Sequence, residues 1–263
     1  ARQVFHEWQT DVIASGAANA HVEGEIVTGA TITPTVRTGN YCQILQKAFV
    51  VSETNEAVES AGRDSEIAYQ KAKYLKELTN DIEYALIINS ASVTGASATA
   101  RQLKGVLGWI VTNVTTCSTA ASASGVSETD FNTNLALIWA QGGQDPYNTI
   151  CGSAQKRSIS RFTGNTTRFN EMDRPKVEAR VDIYLSDHGE VRVRKHRVLN
   201  GAATGTIVTF GDMGLWKKAF LRQGGWKELG VTGSARRHFV ESELTLESLQ
   251  EKGSGKMTGY GTL

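Results

Sequence analysis

Polar and apolar positions along this chain fall into three regimes, and each predicts a different kind of element. Residues 1–21 carry scattered apolar side chains (Val4, Phe5, Trp8, Val12, Ile13) and then the small-residue tract Ala14-Ser15-Gly16-Ala17-Ala18-Asn19-Ala20. With no periodic face, they predict an extended arm. From Val22 to about Thr38 the pattern alternates: Ile26, Ala30, Ile32 and Val36 fall on one side, and Thr31, Thr33, Thr35 and Arg37 on the other. That is the period of a strand. Gly39-Asn40 breaks it, and Tyr41 to Ser52 resumes with apolar residues on both faces, Tyr41, Leu45, Phe49 and Val51 against Ile44, Ala48 and Val50. A long β-hairpin over 22–52 is the expectation.

The third regime is helical. Thr54 to Ala61 is a short helix candidate closed by Gly62, and Asp64 opens a run with Ile67, Tyr74, Leu75, Leu78, Ile82, Ala85 and Leu86 on one stripe. Lys71, Lys73, Lys76 and Asp81 take the opposite side. The helix expected over 64–89 has 26 residues, or about 39 Å at ~1.5 Å per residue. A helix of that length acts as the backbone of a flat or elongated unit.

Small residues at 90–100 lead into Leu103-Lys104-Gly105-Val106-Leu107, and a second flexible connection spans 120–125. Ser127-Glu128-Thr129-Asp130 matches a capping box before a helix with Phe131, Leu135, Ile138 and Trp139, stopped by Gly142-Gly143. Strands are expected at 147–151 and 206–210, a helix at 154–162, and a hairpin at 181–199 turning at Asp187-His188-Gly189. More strand follows at 215–221 and 238–249, then a glycine-rich tail at 253–263. Strands and helices do not alternate regularly, which predicts an α+β fold and disfavours doubly wound and barrel architectures.

Composition narrows the function. The 263 residues hold 28 Lys+Arg and 27 Asp+Glu, a formal net charge of 28 − 27 = +1, so no gross attraction to nucleic acid or an anionic membrane is implied. Apolar residues make up 40%, enough for a sizeable core. No apolar run approaches the ~18 residues of a membrane span. The chain begins at Ala1 without a Met or a secretory signal, and the expectation is that residues upstream were removed or lie outside it. Cys42, Cys117 and Cys151 form no close pair and read as unpaired thiols; His6, His21, His188, His196 and His238 never fall at metal-ligand spacing.

Candidate chemistry is sparse. Gly253-Ser254-Gly255-Lys256-Met257-Thr258 resembles part of a phosphate-binding loop, but Gln250 stands where a glycine is required and Met257 where Ser or Thr is. Glu241 and Glu243 share a strand face and read as exposed carboxylates. The basic stretch Arg192-Val193-Arg194-Lys195-His196-Arg197, with Lys156, Arg157, Arg161, Arg168, Arg174, Lys176 and Arg180 upstream, lacks the interleaved aromatics of a nucleic-acid groove. It is expected to be a solvated or subunit-facing edge. The sequons at Asn113 and Asn165 carry no weight without a secretion signal. No catalytic centre, metal or cofactor is expected.

One feature does point to a function. An isolated two-stranded ribbon is marginal in water, so a protruding hairpin with Phe5 and Trp8 in the arm before it needs a partner surface. The helix from Asp64-Ser65-Glu66-Ile67-Ala68-Tyr69-Gln70 through Leu78-Thr79-Asn80-Asp81-Ile82-Glu83-Tyr84-Ala85-Leu86, followed by Gly95, Leu103, Gly105, Val106 and Leu107, resembles the major capsid proteins of tailed bacteriophages. The stretches Phe5-His6-Glu7-Trp8-Gln9-Thr10-Asp11, Gly39-Asn40-Tyr41, Ala61-Gly62-Arg63 and Gln155-Lys156-Arg157 carry the same resemblance, to the branch with the Hong Kong 97-like fold.

The resemblance implies a structural protein and not an enzyme. It implies an N-terminal arm at 1–21, an extended loop at 22–52 lying over a neighbouring subunit, and a peripheral domain at 53–109 with the spine helix. An axial domain at 110–213 and a return to the peripheral domain at 214–263 complete it. Copies would form pentamers and hexamers of an icosahedral head, in the virion, around double-stranded DNA held without sequence-specific binding, after assembly in the bacterial cytoplasm. Portal, scaffolding or protease, and decoration proteins are the further partners implied. Phe5, Trp8, Arg37, Tyr41 and Phe49 are the expected intersubunit contacts, and Arg192, Arg194, Lys195 and Arg197 an interior or interface edge. Two alternatives are a bacterial nanocompartment shell of similar fold and, in a different class, a nucleic-acid-binding module using 192–197.

Overall fold

The computed structural model describes residues 1–27, 29, 31–58, 62, 64–117, 125–162, 182–201, 203, 205–230 and 233–261. In chain order its elements are β1 (Phe5–Thr10), β2 (Val36–Tyr41), β3 (Gln43–Ser52), α1 (Glu53–Ala57), the long helix α2 (Glu66–Ile88), α3 (Val106–Trp109), β4 (Val114–Thr116), α4 (Glu128–Ala140), β5 (Tyr147–Cys151) and α5 (Ser153–Ile159). Then come β6 (Ile183–Ser186), β7 (Gly189–Lys195), α6 (Arg197–Gly201), β8 (Ile207–Phe210), β9 (Trp216–Arg222), β10 (Trp226–Leu229), β11 (Ala235–Ser248) and β12 (Ser254–Thr258).

Strand β1 pairs antiparallel with β2, Phe5 opposite Tyr41 and Thr10 opposite Val36. The chain then crosses Cys42 into β3, which joins a different sheet along one edge of β11; the other edge of β11 takes β10 and then β9. The hairpin expected over 22–52 is therefore replaced by a ribbon of β1 and β2 whose loop is 11–35, while 43–52 is a body strand. No strand forms among the described residues of 22–35: the alternation is present in sequence, but nothing pairs with it and its aliphatic side chains stay in solvent. Likewise the arm expected at 1–21 is half strand, because Phe5–Thr10 finds a partner 26 or more positions away.

The long helix follows its sequence signal closely. Ser65 caps it by accepting from the Ala68 N–H at 3.2 Å. Glu56 of α1 accepts from Ser65 Oγ at 2.6 Å and from the Ile67 N–H at 3.0 Å, so a carboxylate sits where unpaired helix donors face outward. Leu78, Ala85 and Ile87 are buried, whereas Leu75, expected on the apolar stripe, is half exposed.

The third sheet runs β4-β12-β8-β5-β7-β6, with β12 parallel to β4 and β5 parallel to β7. Helix α4, capped by Ser127 as expected, drives Phe131, Leu135 and Ile138 onto one face, against Tyr147, Val191, Val193, Ile207 and Met257. The opposite face meets a second core built from Ala85, Leu103, Val106, Ile110, Leu244 and Leu246. Strand β8 joins the two, Ile207 in the first and Val208 and Phe210 in the second, and every residue of it is buried.

Two further expectations change. Residues expected to be a flexible tail form β12, between β4 and β8. Gly255 is small for packing: a Cβ there would lie 2.8 Å from both Asn134 Oδ1 and Ile138 Cδ1 of α4. The hairpin expected to run to Leu199 ends at Lys195, and α6 takes over; its start at Val181 lies outside the described residues.

Candidate assembly surface

The base of the β1–β2 ribbon is fastened to the body by buried polar contacts. Asn40 is fully buried: its Nδ2 donates to the carbonyl oxygens of Lys104 and Leu246 at 3.0 and 2.9 Å, and its Oδ1 accepts from the Lys104 N–H at 2.8 Å and Ser92 Oγ at 3.1 Å. All four hydrogen-bonding positions of the amide are used. Trp8 Nε1 donates to the Ser248 carbonyl, and its ring packs on Trp109 with centroids 5.6 Å apart. His6 Nε2 lies 3.1 Å from Glu247 Oε2. Phe5 covers Gly39, where a Cβ would sit 2.6 Å from the ring, and packs on Tyr41 at 4.6 Å.

Beyond this base the ribbon turns apolar and acidic. Val12, Ile13, Val22, Ile26, Val27 and Ile32 are each at least 79% exposed. Between 11 and 35 the charged residues are Asp11, Glu23 and Glu25, with no Lys or Arg. Six solvent-facing aliphatics in one projecting segment are far from the scattered exposure of an ordinary surface.

The five residues expected at subunit contacts divide. Arg37 is exposed and ion-paired to Glu7 across the ribbon, and Phe5 and Tyr41 are half-buried beside it. Trp8 and Phe49 are corrected: both are buried inside their own chain. Phe49 packs on Tyr74, Trp226 and His238 with ring centroids 5.3 to 5.5 Å apart, because β3 faces α2 and not a free edge.

Arg192, Arg194, Lys195 and Arg197 are exposed at the β7–α6 end of the six-stranded sheet. Arg192 Nε pairs with Glu190 at 2.7 Å. With Lys156 and Arg157 of α5, three of them line an open groove of about 1070 Å³. Arg168, Arg174, Lys176, Arg180 and Asn165 lie outside the described residues. Asn113 is buried and donates to the Lys252 and Ser254 carbonyls.

Sequence reasoning misjudged Glu243. The side chain is 4% exposed and accepts from Arg101 at one oxygen and Arg222 Nε at the other, each at 2.7 Å. Arg222 also reaches Glu241 at 2.8 Å, which Lys227 meets at 3.0 Å. Lys227 and then Arg222 hold the Glu241 carboxyl below its ordinary range. The arginines are distant in sequence, so the i,i+2 spacing of the acids gave no sign of a network. Cys42 and Cys151 are buried free thiols, and burial pushes Cys151 up to about 12. Among the described residues no group of His, Cys, Asp or Glu is placed to hold a metal, and no helix is long and apolar enough to cross a membrane.

A long helix under one sheet, a second mixed sheet, and an anchored ribbon with an unpartnered apolar end together define the Hong Kong 97-like α+β fold of capsid subunits. The solved structures share that fold. The capsid of a native GTA particle superposes with a TM-score of 0.65 at 11% identity, covering 99% of this chain and 86% of that one. The holo-SrpI encapsulin complex from Synechococcus elongatus PCC 7942 gives 0.60 at 10%, covering 87% and 78%. Phage G major capsid proteins, solved with their decoration proteins, give 0.54 at 11%, covering 98% and 85%. The chain belongs to the SU10 major capsid protein family, whose model matches residues 1–261. Over 90 residues it is 40% identical to the major capsid protein of Escherichia phage Phieco32, a match spanning 34% of this chain and 26% of that relative.

Proposed function

We propose that this chain is the repeating shell subunit of a tailed-phage head, closing into pentamers and hexamers of an icosahedral shell around double-stranded DNA. The observation that carries this is the ribbon: its base is locked to the body by Asn40 and Trp8, while the six aliphatics beyond are presented to solvent. Burying them on a second copy is worth at least ~1.5 kcal/mol each, or roughly 9 kcal/mol per ribbon, before association costs of about 4–15 kcal/mol. Each subunit gives and receives a ribbon, so the gain accumulates only in a closed lattice. A contact between unlike surfaces builds rings, as a pentamer or hexamer requires.

On this reading 11–35 is the loop lying over a neighbour, with Arg37, Phe5 and Tyr41 at its root. The β3–β9–β10–β11 sheet with α2 is the peripheral domain, and the six-stranded sheet with α4 and α5 is the axial one. Strand β12 returns the chain to the axial sheet, so the peripheral return expected over 214–263 stops short of 254. The subunit works by packing and carries no catalytic role. It resides in the virion after assembly in the bacterial cytoplasm, alongside portal, scaffolding or protease, and decoration proteins.

Negative-stain microscopy with light scattering on the purified chain tests the proposal. Uniform closed shells or rings are expected, and a monomer at all concentrations overturns it. Enclosed enzyme cargo in place of DNA in native particles moves the reading to the nanocompartment shell that the encapsulin likeness supports.

A further inference from the structure

Strand β3 is ten residues long and pairs with β11 along its whole length without a bulge, Gln43 opposite Leu244 and Ser52 opposite Ala235. One step beyond, the Glu53 N–H donates to the carbonyl of Ser234, its direct opposite. Residues bonded this way alternate along an antiparallel ladder. Val51, Phe49, Lys47 and Leu45 therefore bond to β11, and the N–H and C=O groups of Val50, Ala48, Gln46 and Ile44 point to the other edge. Among the described residues nothing bonds to them there. The same four side chains are exposed, because α2 packs on the opposite face, against Phe49 and Lys47.

A long edge without protection invites another strand. The other edge strands of this sheet are guarded: β9 carries Lys217, Lys218 and Arg222, and β10 is four residues long with Lys227 and Glu228. Strand β3 has no proline, and its one charge, Lys47, is turned to α2 and held by Asp81 at 2.9 Å. The same chain carries the converse, a segment with the period of a strand and no strand partner. Thr31, Thr33 and Thr35 alternate there with Ile32 and Pro34, and Ile32 is 89% exposed. Its own β3 is out of reach. Only Cys42 separates β2 from β3, whereas a tight reversal takes two residues, so the ribbon leads away and puts Thr35 about 25 Å from Gln43.

We propose that residues 31–35 of a second copy add to the open edge of β3 as an antiparallel strand. This names the surface that receives the ribbon, and it rests on the shell reading above. Backbone hydrogen bonds supply the attachment, as in other strand additions. With the N–H groups of Thr31, Thr33 and Thr35 turned to β3, the β-branched threonines lie on the same face as Gln46, Ala48 and Val50. Pro34, which has no N–H, then keeps its nitrogen on the outer side, where a sheet tolerates proline. Ile32 turns to the α2 side.

Hydrogen–deuterium exchange at single-residue resolution, on the full chain before and after assembly, tests this. The amides of Gln46 and Ala48 should exchange fast in the unassembled chain and at least about tenfold slower in shells, while those of Lys47 and Phe49, bonded to β11, are protected in both. Thr31, Thr33 and Thr35 should slow with them, and Ile32 should not. Ala48→Pro removes one outward N–H and leaves the β11 ladder intact. It should keep the urea midpoint of the unassembled chain and raise the concentration needed for assembly at least about fivefold, the worth of one backbone hydrogen bond. If Ala48→Pro does not fold, Ala48→Asp, a charge at the same exposed position set against an acidic ribbon, is expected to raise it as well. Equal exchange of Gln46 and Ala48 in shells and in the unassembled chain overturns the strand addition, as does assembly of the folded variant at the parent's concentration. Ile32 slowing as much as its neighbours overturns it too, since that is burial under another surface and not pairing. Shells that form with β3 still open remove this contact alone; no shells from the unaltered chain remove the shell reading and the contact with it.

Discussion

Trp8 Nε1 donates to the carbonyl oxygen of Ser248 at 2.9 Å, joining the first strand of the ribbon to the end of β11 across 240 positions of sequence. The indole thus has two tasks, filling space against Trp109 and satisfying a buried carbonyl. Trp8→Phe should keep most of the packing and cost about 1 kcal/mol through the lost hydrogen bond. Trp8→Ala should cost about 3 kcal/mol or more by opening a cavity. Urea unfolding of the unassembled chain measures both: a Trp8→Phe variant as stable as the parent would show that the hydrogen bond carries nothing, and equal losses from the two variants would show the same of the ring packing.

Excising the ribbon end separates folding from assembly. Because Thr10 faces Val36 directly, replacing residues 11–35 with Asn-Gly leaves a closed two-residue hairpin. The shortened chain is expected to unfold at the same urea midpoint as the parent, within experimental scatter, and to sediment as a monomer. Normal shells from it would remove the role given to these aliphatics. A deletion over 24–50 would be a poor substitute, since it removes β2 and most of β3.

The Glu243 network should make the fold acid-sensitive and intolerant of truncation. Glu243→Ala leaves Arg101 and Arg222 facing a buried site without their carboxylate. The expected loss is about 2 kcal/mol, below the ~3–5 kcal/mol of a fully enclosed pair because Arg222 reaches solvent. For Glu241 the folded carboxyl lies below its ordinary 4.5, so its contribution is complete above that value and is lost as pH falls through the folded one. The urea midpoint should therefore drop below about pH 4.5, and Glu241→Gln should flatten part of that drop. A midpoint independent of pH in this window would contradict the network.

Gly255 tests how closely α4 rides on β12. A valine there must displace Ile138 and Asn134 in a filled core, at a cost of about 1–3 kcal/mol. Thermal unfolding should fall by several degrees for Gly255→Val and less for Gly255→Ala, and a variant as stable as the parent would mean that α4 can shift freely.

Local signals in the sequence announced local structure well. Ser127 caps the helix it was expected to start, and the helix expected to open at Asp64 and run over 64–89 is observed at 66–88 with Ser65 as its cap. The strands at 147–151 and 206–210 stand where β-branched and aromatic residues cluster. Pairing was misjudged wherever the partner is distant. The alternation of 22–38 has the same period whether or not a strand forms there, and the small residues of 253–258 look like a tail until α4 is laid across them.

What the sequence by itself determined is where backbone conformation is set by neighbours within one or two turns: caps, the helical stripe, the turns, and the near-balance of charge that leaves no strong field. The tertiary structure alone decided which strand pairs with which, that Asn40 and Trp8 fasten the ribbon while 11–35 goes uncovered, and that Glu243 is enclosed by arginines 142 and 21 positions away. Side-chain periodicity says which face of a strand is apolar; only the packed chain says whether that face is covered by its own residues or left for another copy.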